Sequence, residues 1–108
     1  MKVSKIMKGI FNDLNEMSNL YHNKFVDIVN KYGSDNELEI FHICSDEGIE
    51  LAGSTIDKIS LVGDRIYFFF NENEGDYDEY SDFRLKDLMD FCDALVGYFQ
   101  EQENVALA

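Results

Sequence analysis

A long helical stripe near the start of the chain places the strongest constraint on the fold. Between positions 3 and 32, apolar residues recur every three or four positions along one face. They are Val3, Met7, Ile10, Leu14, Met17, Tyr21, Phe25, Ile28 and Tyr32. This spacing predicts one amphipathic helix, or two collinear ones, over 3–32. Thirty helical residues span ~45 Å, whereas strands of five to eight residues span roughly 17–26 Å. The predicted helix is therefore longer than the sheet it has to pack on.

Two arrangements resolve this mismatch in length. The helix breaks near Ser18-Asn19 or His22-Asn23, where poor helix formers cluster. Alternatively, it stays whole and a second copy of the chain covers the overhanging stripe, as in a coiled coil. The second arrangement predicts a homodimer or a larger scaffolding homo-oligomer. Its interface residues are Met7, Ile10, Leu14, Met17, Tyr21 and Phe25.

The end of this helix and the strands after it have their own local signals. Gly33, followed by Ser34-Asp35-Asn36, predicts a left-handed C-cap. Residues 37–71 are predicted to form an antiparallel meander of three or four strands, with a strand over 38–44, a turn at Gly48 and a returning strand over 49–52.

The clearest local signal is a two-residue hairpin at Gly63-Asp64. It predicts five cross-strand pairs: Val62 with Arg65, Leu61 with Ile66, Ser60 with Tyr67, Ile59 with Phe68, and Lys58 with Phe69. This register collects Leu61, Ile59, Ile66 and Phe68 on one apolar face, and a slip of one residue would scatter them.

An acidic loop over 71–81 and a helix over 82–101 complete the predicted chain. Ser81 or Asp82 is the expected N-cap, and the outer face of the helix is interpreted as purely anionic. No proline, internal repeat or linker divides the sequence. We therefore predict a single α+β domain over 1–108, in which the helices pack on the apolar face of the meander.

Charge is distributed unevenly along the chain and restricts the class of partner. Residues 1–33 carry five lysines and three acids, whereas residues 34–108 carry nineteen acids and four bases, for a net charge of −13. Such a field repels nucleic acid and anionic membranes and attracts basic proteins. The longest apolar run, 66–70, is far shorter than the ~20 residues of a membrane helix. Two cysteines and no leader pattern predict a reducing, cytoplasmic setting.

Motifs for catalysis, cofactors or metals are weak. His42 and Cys44 are predicted to share one face of the first strand, which makes an enzyme using this pair a remote alternative. The stretch over 71–82 only partly matches a calcium loop, because glycine falls at its fifth position and aspartate at its twelfth. We therefore predict no catalysis, no cofactor and no metal site.

The acidic loop is the most suggestive segment, because it places carboxylates beside aromatic side chains without an intervening base. Carboxylates attract basic surfaces, and tyrosine is enriched at binding hot spots. The predicted partner-binding residues are Glu72, Glu74, Asp76, Tyr77, Asp78, Glu79, Tyr80 and Asp82, supported by Asp87, Asp90 and Asp93.

These observations predict a non-catalytic protein that occludes a basic, nucleic-acid-handling surface of another protein by imitating nucleic acid. The order helix, meander, helix and the strong acidity resemble those of small phage-encoded inhibitors of defence nucleases and of bacterial toxin-immunity proteins. The resemblance covers architecture and charge and implies an inhibitor of the anti-defence or immunity type.

Overall fold

The chain folds as an α+β protein, as the sequence predicts. The computed structural model describes residues 2–70 and 76–107, and side chains over 15–70 and 76–105. Its elements in chain order are α1 (Lys2–Tyr32), β1 (Glu37–Glu39), α2 (Phe41–Glu47), β2 (Ile56–Val62), β3 (Arg65–Phe70), β4 (Tyr77–Glu79), a 3₁₀ turn (Tyr80–Asp82) and α3 (Leu85–Leu107).

The four strands form one antiparallel sheet in the order β1-β2-β3-β4. All five predicted pairs of the β2–β3 hairpin are present, from Val62 opposite Arg65 to Lys58 opposite Phe69. Gly63 at the turn has φ 64°, a conformation that glycine adopts without steric cost. The predicted register is therefore confirmed, and it turns Ile59, Ile66 and Phe68 toward the helices.

Helix α1 is continuous, so neither predicted break occurs. The polar residues at those positions contact other elements instead. The Tyr80 hydroxyl donates to the Ser18 carbonyl oxygen at 2.8 Å. The His22 Nε2 atom lies 2.8 Å from the carbonyl oxygen of Asp64, at the tip of the β2–β3 hairpin. These contacts anchor α1 where its local helix propensity is weakest.

The core lies between one face of the sheet and the two long helices. Phe25 is fully buried, and its ring contacts Phe68 of the sheet and Phe91 of α3 at centroid distances of 5.3 and 6.1 Å. Aromatic rings in edge-to-face and stacked arrangements add to the stabilisation from burial. Phe25 therefore joins α1 to both other layers.

The predicted strand over 38–44 is wrong beyond Glu39. Only three residues pair with β2, and the chain then turns into the short helix α2. An apolar run of this length fits either structure, and here Ile40 and Cys44, four positions apart, are both buried. Gly48 has a positive φ, 67°, and forms the C-cap of α2 instead of a turn between two strands. The predicted returning strand over 49–52 is reduced to a single bridge between Leu51 and Ser54.

Gly33 ends α1 for a different reason from the predicted one. The left-handed residues are Asp35 and Asn36, with φ 53° and 62°, and they turn the chain between Ser34 and Glu37. A Cβ atom at position 33 would lie 2.2 Å from the Glu37 carbonyl oxygen. The glycine is thus required by close backbone contact.

The segment after β3 is more ordered than a loop. Predicted loop residues 77–79 form β4, and α3 begins at Leu85 instead of position 82 and ends at Leu107 instead of 101. Ser81 and Asp82 lie in the 3₁₀ turn and do not cap α3. The predicted site residues Glu72 and Glu74 lie outside the described residues.

Candidate interaction surface

Strand β4 forms one edge of the sheet, and three exposed residues of the predicted site lie in it or directly before it. Asp76, Tyr77 and Asp78 are exposed, and the Asp76 carbonyl oxygen accepts from the Phe70 amide at 3.0 Å. Tyr77 lies opposite Phe69, on the sheet face that points away from α1 and α3, whereas Asp78 lies opposite Phe68. The two aspartates and the tyrosine therefore point to opposite sides of one edge.

Tyr77 is held in place although it is 55% exposed. Its ring packs against Tyr67 and Phe69, at centroid distances of 5.5 and 5.6 Å. Lys58 covers the Phe69 ring with its Nζ atom 4.6 Å from the centroid and also pairs with Glu37 at 3.3 Å. Tyr77 is thus a supported aromatic side chain that still presents much of its surface to solvent.

Asp82 closes part of the β4 edge. Its Oδ2 atom accepts a hydrogen bond from the Glu79 amide at 2.8 Å. An amide bonded in this way is not offered to a strand from another molecule, which is a common protection of sheet edges. Together, Asp76, Tyr77, Asp78 and Asp82 form what we call the β4 acidic surface.

Two predicted partner-binding residues are used inside the chain. The Tyr80 ring packs on Phe25 and His22 at centroid distances of 6.1 and 5.4 Å, and its hydroxyl bonds to α1. Burial raises the pKa of Tyr80. Glu79 lies 3.8 Å from Arg65. These contacts within the chain make both side chains less available to a partner than predicted.

The outer face of α3 is not purely anionic, contrary to prediction. Arg84 pairs with Asp87 at 3.1 Å, and Lys86 lies one helical turn before Asp90. Asp93 accepts from the Tyr21 hydroxyl at 3.2 Å, which ties it to α1. The sequence already shows Arg84 three residues before Asp87 and Lys86 four residues before Asp90, the spacings at which side chains meet on a helix. The three aspartates therefore support the β4 acidic surface less than their number implies.

The predicted oligomer interface also divides in two. Tyr21 and Phe25 are buried in the core of the same chain, and Met17 packs against that core. Tyr21 and Phe25 are not available to a second copy, so the prediction is wrong for these two residues. Met7, Ile10 and Leu14 belong to the helical backbone of α1, but their side chains are outside those described.

His42 and Cys44 do not form a nucleophile and its base. Two residues apart on a helix, their side chains do not face each other. His42 is exposed, whereas Cys44 is 1% exposed, and burial raises the pKa of its thiol to about 11. A thiol with so high a pKa is protonated at neutral pH and is a poor nucleophile.

A shallow cavity of about 370 Å³ adjoins the β4 acidic surface. It is lined by Asp76, Tyr77, Asp78, Phe70 and Ser54. Ser54 was not predicted as a site residue. Ser54 follows a turn in which Ala52 and Gly53 have positive φ angles of 52° and 83°. In the sequence, only the glycine indicated this turn. Over the side chains that the structure describes, 15–70 and 76–105, no group of three potential metal ligands is close enough to hold an ion.

Comparison with known proteins adds no relative. The chain matches no protein-family model, and neither the curated proteins nor the solved structures include a significant match. In the part of the chain that the structure describes, no helix combines the length and apolar character needed to cross a membrane.

Proposed function

We propose that this chain is a non-catalytic binding protein whose β4 acidic surface occludes a basic, nucleic-acid-handling surface of another protein. The observation that carries the proposal is the position of Asp76 and Asp78 at one sheet edge, where both are exposed and adjacent to the exposed, well-supported ring of Tyr77. Among the described residues, four acids form ion pairs with Lys31, Lys58, Arg65 and Arg84. None of these pairs includes Asp76, Asp78 or Asp82. The charges of Asp76 and Asp78 are available to a partner, whereas the Asp82 carboxylate also accepts from the Glu79 amide.

The spacing of these carboxylates supports imitation of a nucleic-acid strand. Asp76 and Asp78 are two strand positions apart, or ~6.8 Å. Successive phosphates of one DNA strand advance ~3.4 Å along the axis and also turn around it, so neighbouring phosphates are separated by a straight-line distance similar to that between the two aspartates. Tyr77, between them in sequence, offers an aromatic contact surface on the other side of the edge.

Competition is the mechanism that follows. A basic groove that accepts phosphates accepts exposed carboxylates through the same lysines and arginines. The chain's net charge of −13 speeds the encounter and makes it sensitive to salt. Bound to such a groove, the chain excludes nucleic acid without any chemical step.

The test uses the immobilised chain as bait in a lysate of its native host. At ~0.15 M salt we expect recovery of basic, nucleic-acid-binding proteins, identified by mass spectrometry, and their displacement by added duplex DNA or by high salt. Replacing Asp76 and Asp78 together by asparagine should reduce that recovery at least about tenfold.

A matched control removes the same charge elsewhere. Asp46 and Glu47 are exposed on α2, which packs against β2, two strands from β4. The Asp46→Asn, Glu47→Gln variant should keep its partners. Equal loss in the two double variants would show that only net charge matters, and equal retention would show that the β4 acidic surface binds nothing.

A further inference from the structure

The first half of α1 projects beyond the rest of the fold. Helices α1 and α3 run in the same direction, and their contacts join residues 66 to 72 positions apart. Examples are Phe25 with Phe91 and Tyr21 with Asp93. Helix α3 begins at Leu85. With the same separation of 66 to 72 positions, Leu85 lies beside positions 13–19 of α1. Positions before 13 therefore extend past the first residue of α3.

The sheet ends at the same level. His22 contacts the tip of the β2–β3 hairpin, and Ser18 contacts the 3₁₀ turn that follows β4. Residues 2–14, which we call the N-terminal arm, continue for ~20 Å beyond these contacts. Within residues 2–70 and 76–107, the arm is thus a helix with neither a second helix nor the sheet alongside.

The sequence of the arm does not favour an isolated helix. It contains Gly9 and the β-branched residues Val3, Ile6 and Ile10, all of which lower helix propensity. Short helices without tertiary packing are marginal in water. The arm is therefore stable as a helix when its apolar stripe is covered.

The register of the stripe indicates what covers it. Val3, Met7, Ile10 and Leu14 follow alternating steps of four and three, the spacing of coiled-coil seam positions, and Ile6 and Phe11 flank them. The same steps continue to Met17, which packs against the chain's own core. A helix that carries a seam beyond its own fold is suited to pair with an identical helix.

Charge determines the direction of that pairing. Lys2, Lys5 and Lys8 lie toward the tip of the arm, and the acids Asp13 and Glu16 lie toward the body. In an antiparallel pair the basic tip of one arm lies beside the acidic end of the other. Antiparallel arms also hold two strongly acidic bodies at opposite ends, farther apart than the Debye length of ~8 Å at physiological salt. Parallel arms would place both bodies side by side.

From this geometry we propose that the N-terminal arm is a self-association surface, on which two copies of the chain form a two-fold dimer through antiparallel arms. The two-fold axis passes near Ile10, the middle of the seam. The interface is isologous, so each chain contributes the same residues. This inference does not depend on the β4 acidic surface.

Sedimentation equilibrium at tens of micromolar tests the dimer. The wild-type chain should have twice its mass of 12.5 kDa, and the Ile10→Glu variant should have the monomer mass. The matched control Asn12→Glu adds the same charge at a position outside the seam and should remain dimeric. Circular dichroism and the thermal midpoint at low concentration should show that Ile10→Glu still folds, because the described core contacts of α1 extend from Met17 to Tyr32.

Disulfide formation tests the direction of the arms. The two native cysteines are buried and do not compete. Ile10→Cys should form a covalent dimer rapidly, since the axis brings its two copies together, whereas Val3→Cys should not. Rapid crosslinking of Val3→Cys would overturn the antiparallel arrangement. A monomeric wild-type chain, or an Ile10→Glu variant that remains dimeric, would overturn the interface.

Discussion

The two halves of α1 carry one continuous apolar stripe but lie in different environments. From Ser18 onward the helix is held on three sides by the hairpin tip, the 3₁₀ turn and α3, and Phe25 and Val29 have almost no exposed surface. The N-terminal arm has the same periodicity but extends past these neighbours. Periodicity therefore identifies a helix and the face it buries, but not which molecule supplies the other side.

The largest effect that distinguishes the two halves comes from matched phenylalanine truncations. Phe25→Ala should lower the free energy of unfolding by about 3–5 kcal/mol, because it leaves a cavity among Phe68, Tyr80 and Phe91. Phe11→Ala should change it by less than about 0.5 kcal/mol at low micromolar concentration, where the arm is unpaired. Urea unfolding measures both, and equal losses would mean that the arm packs on its own body.

A substitution at the end of the helix tests how firmly the second half is fixed. Gly33→Ala should cost about 1–3 kcal/mol, because the new Cβ meets the backbone oxygens of Glu37 and Val29. Gly97→Ala is the control, since nothing lies within 4 Å of a Cβ there. It should raise the free energy of unfolding by about 0.5–1 kcal/mol through helix propensity. A neutral Gly33→Ala would show that the helix end is pliable.

Alkaline pH should lower the free energy of unfolding by an amount that reports on the burial of the Cys92 thiol. Burial raises the pKa of Cys92 from 9.0 to about 12. Between these values the folded chain keeps the thiol proton that the unfolded chain releases. The free energy of unfolding should therefore fall as pH rises above 9, by up to about 1.4 kcal/mol per pH unit. Below pH 9 this contribution is fully present.

The Cys92→Ala variant isolates that contribution. Its stability should fall less steeply between pH 9 and 10.5 than that of the wild-type chain, while Cys44, whose pKa is also raised, contributes equally to both. Urea unfolding at three pH values measures the slopes. Identical slopes would mean that solvent reaches the thiol beneath α1.

Local patterns predicted the fold well, and tertiary contacts explain where they failed. The hairpin at Gly63-Asp64 needed only neighbouring residues, so its register was readable. The run from Leu38 to Cys44 had no decisive period, and the structure places most of it in helix α2. Tyr80 and Asp93 were assigned to solvent because their partners on α1 are 62 and 72 positions away. Contacts at such separations leave no trace in a single sequence.

The two proposals fit together geometrically. Antiparallel arms leave the two bodies at opposite ends of the pair, so each dimer would carry two β4 acidic surfaces. Two such surfaces on one particle would raise the apparent affinity for a partner with repeated basic sites. Monomeric Ile10→Glu should then dissociate faster from that partner while keeping the affinity of a single site.

Native-state hydrogen exchange along α1 tests the division of this helix most directly. Amides at 22–32 should exchange slowly at every protein concentration, since they open only with the core. Amides at 4–14 should exchange quickly at low concentration, become protected as the concentration rises, and lose that protection in Ile10→Glu. Uniform slow exchange along α1 at all concentrations would contradict this division of the helix. An arm that stays unprotected at high concentration would contradict its pairing with a second copy.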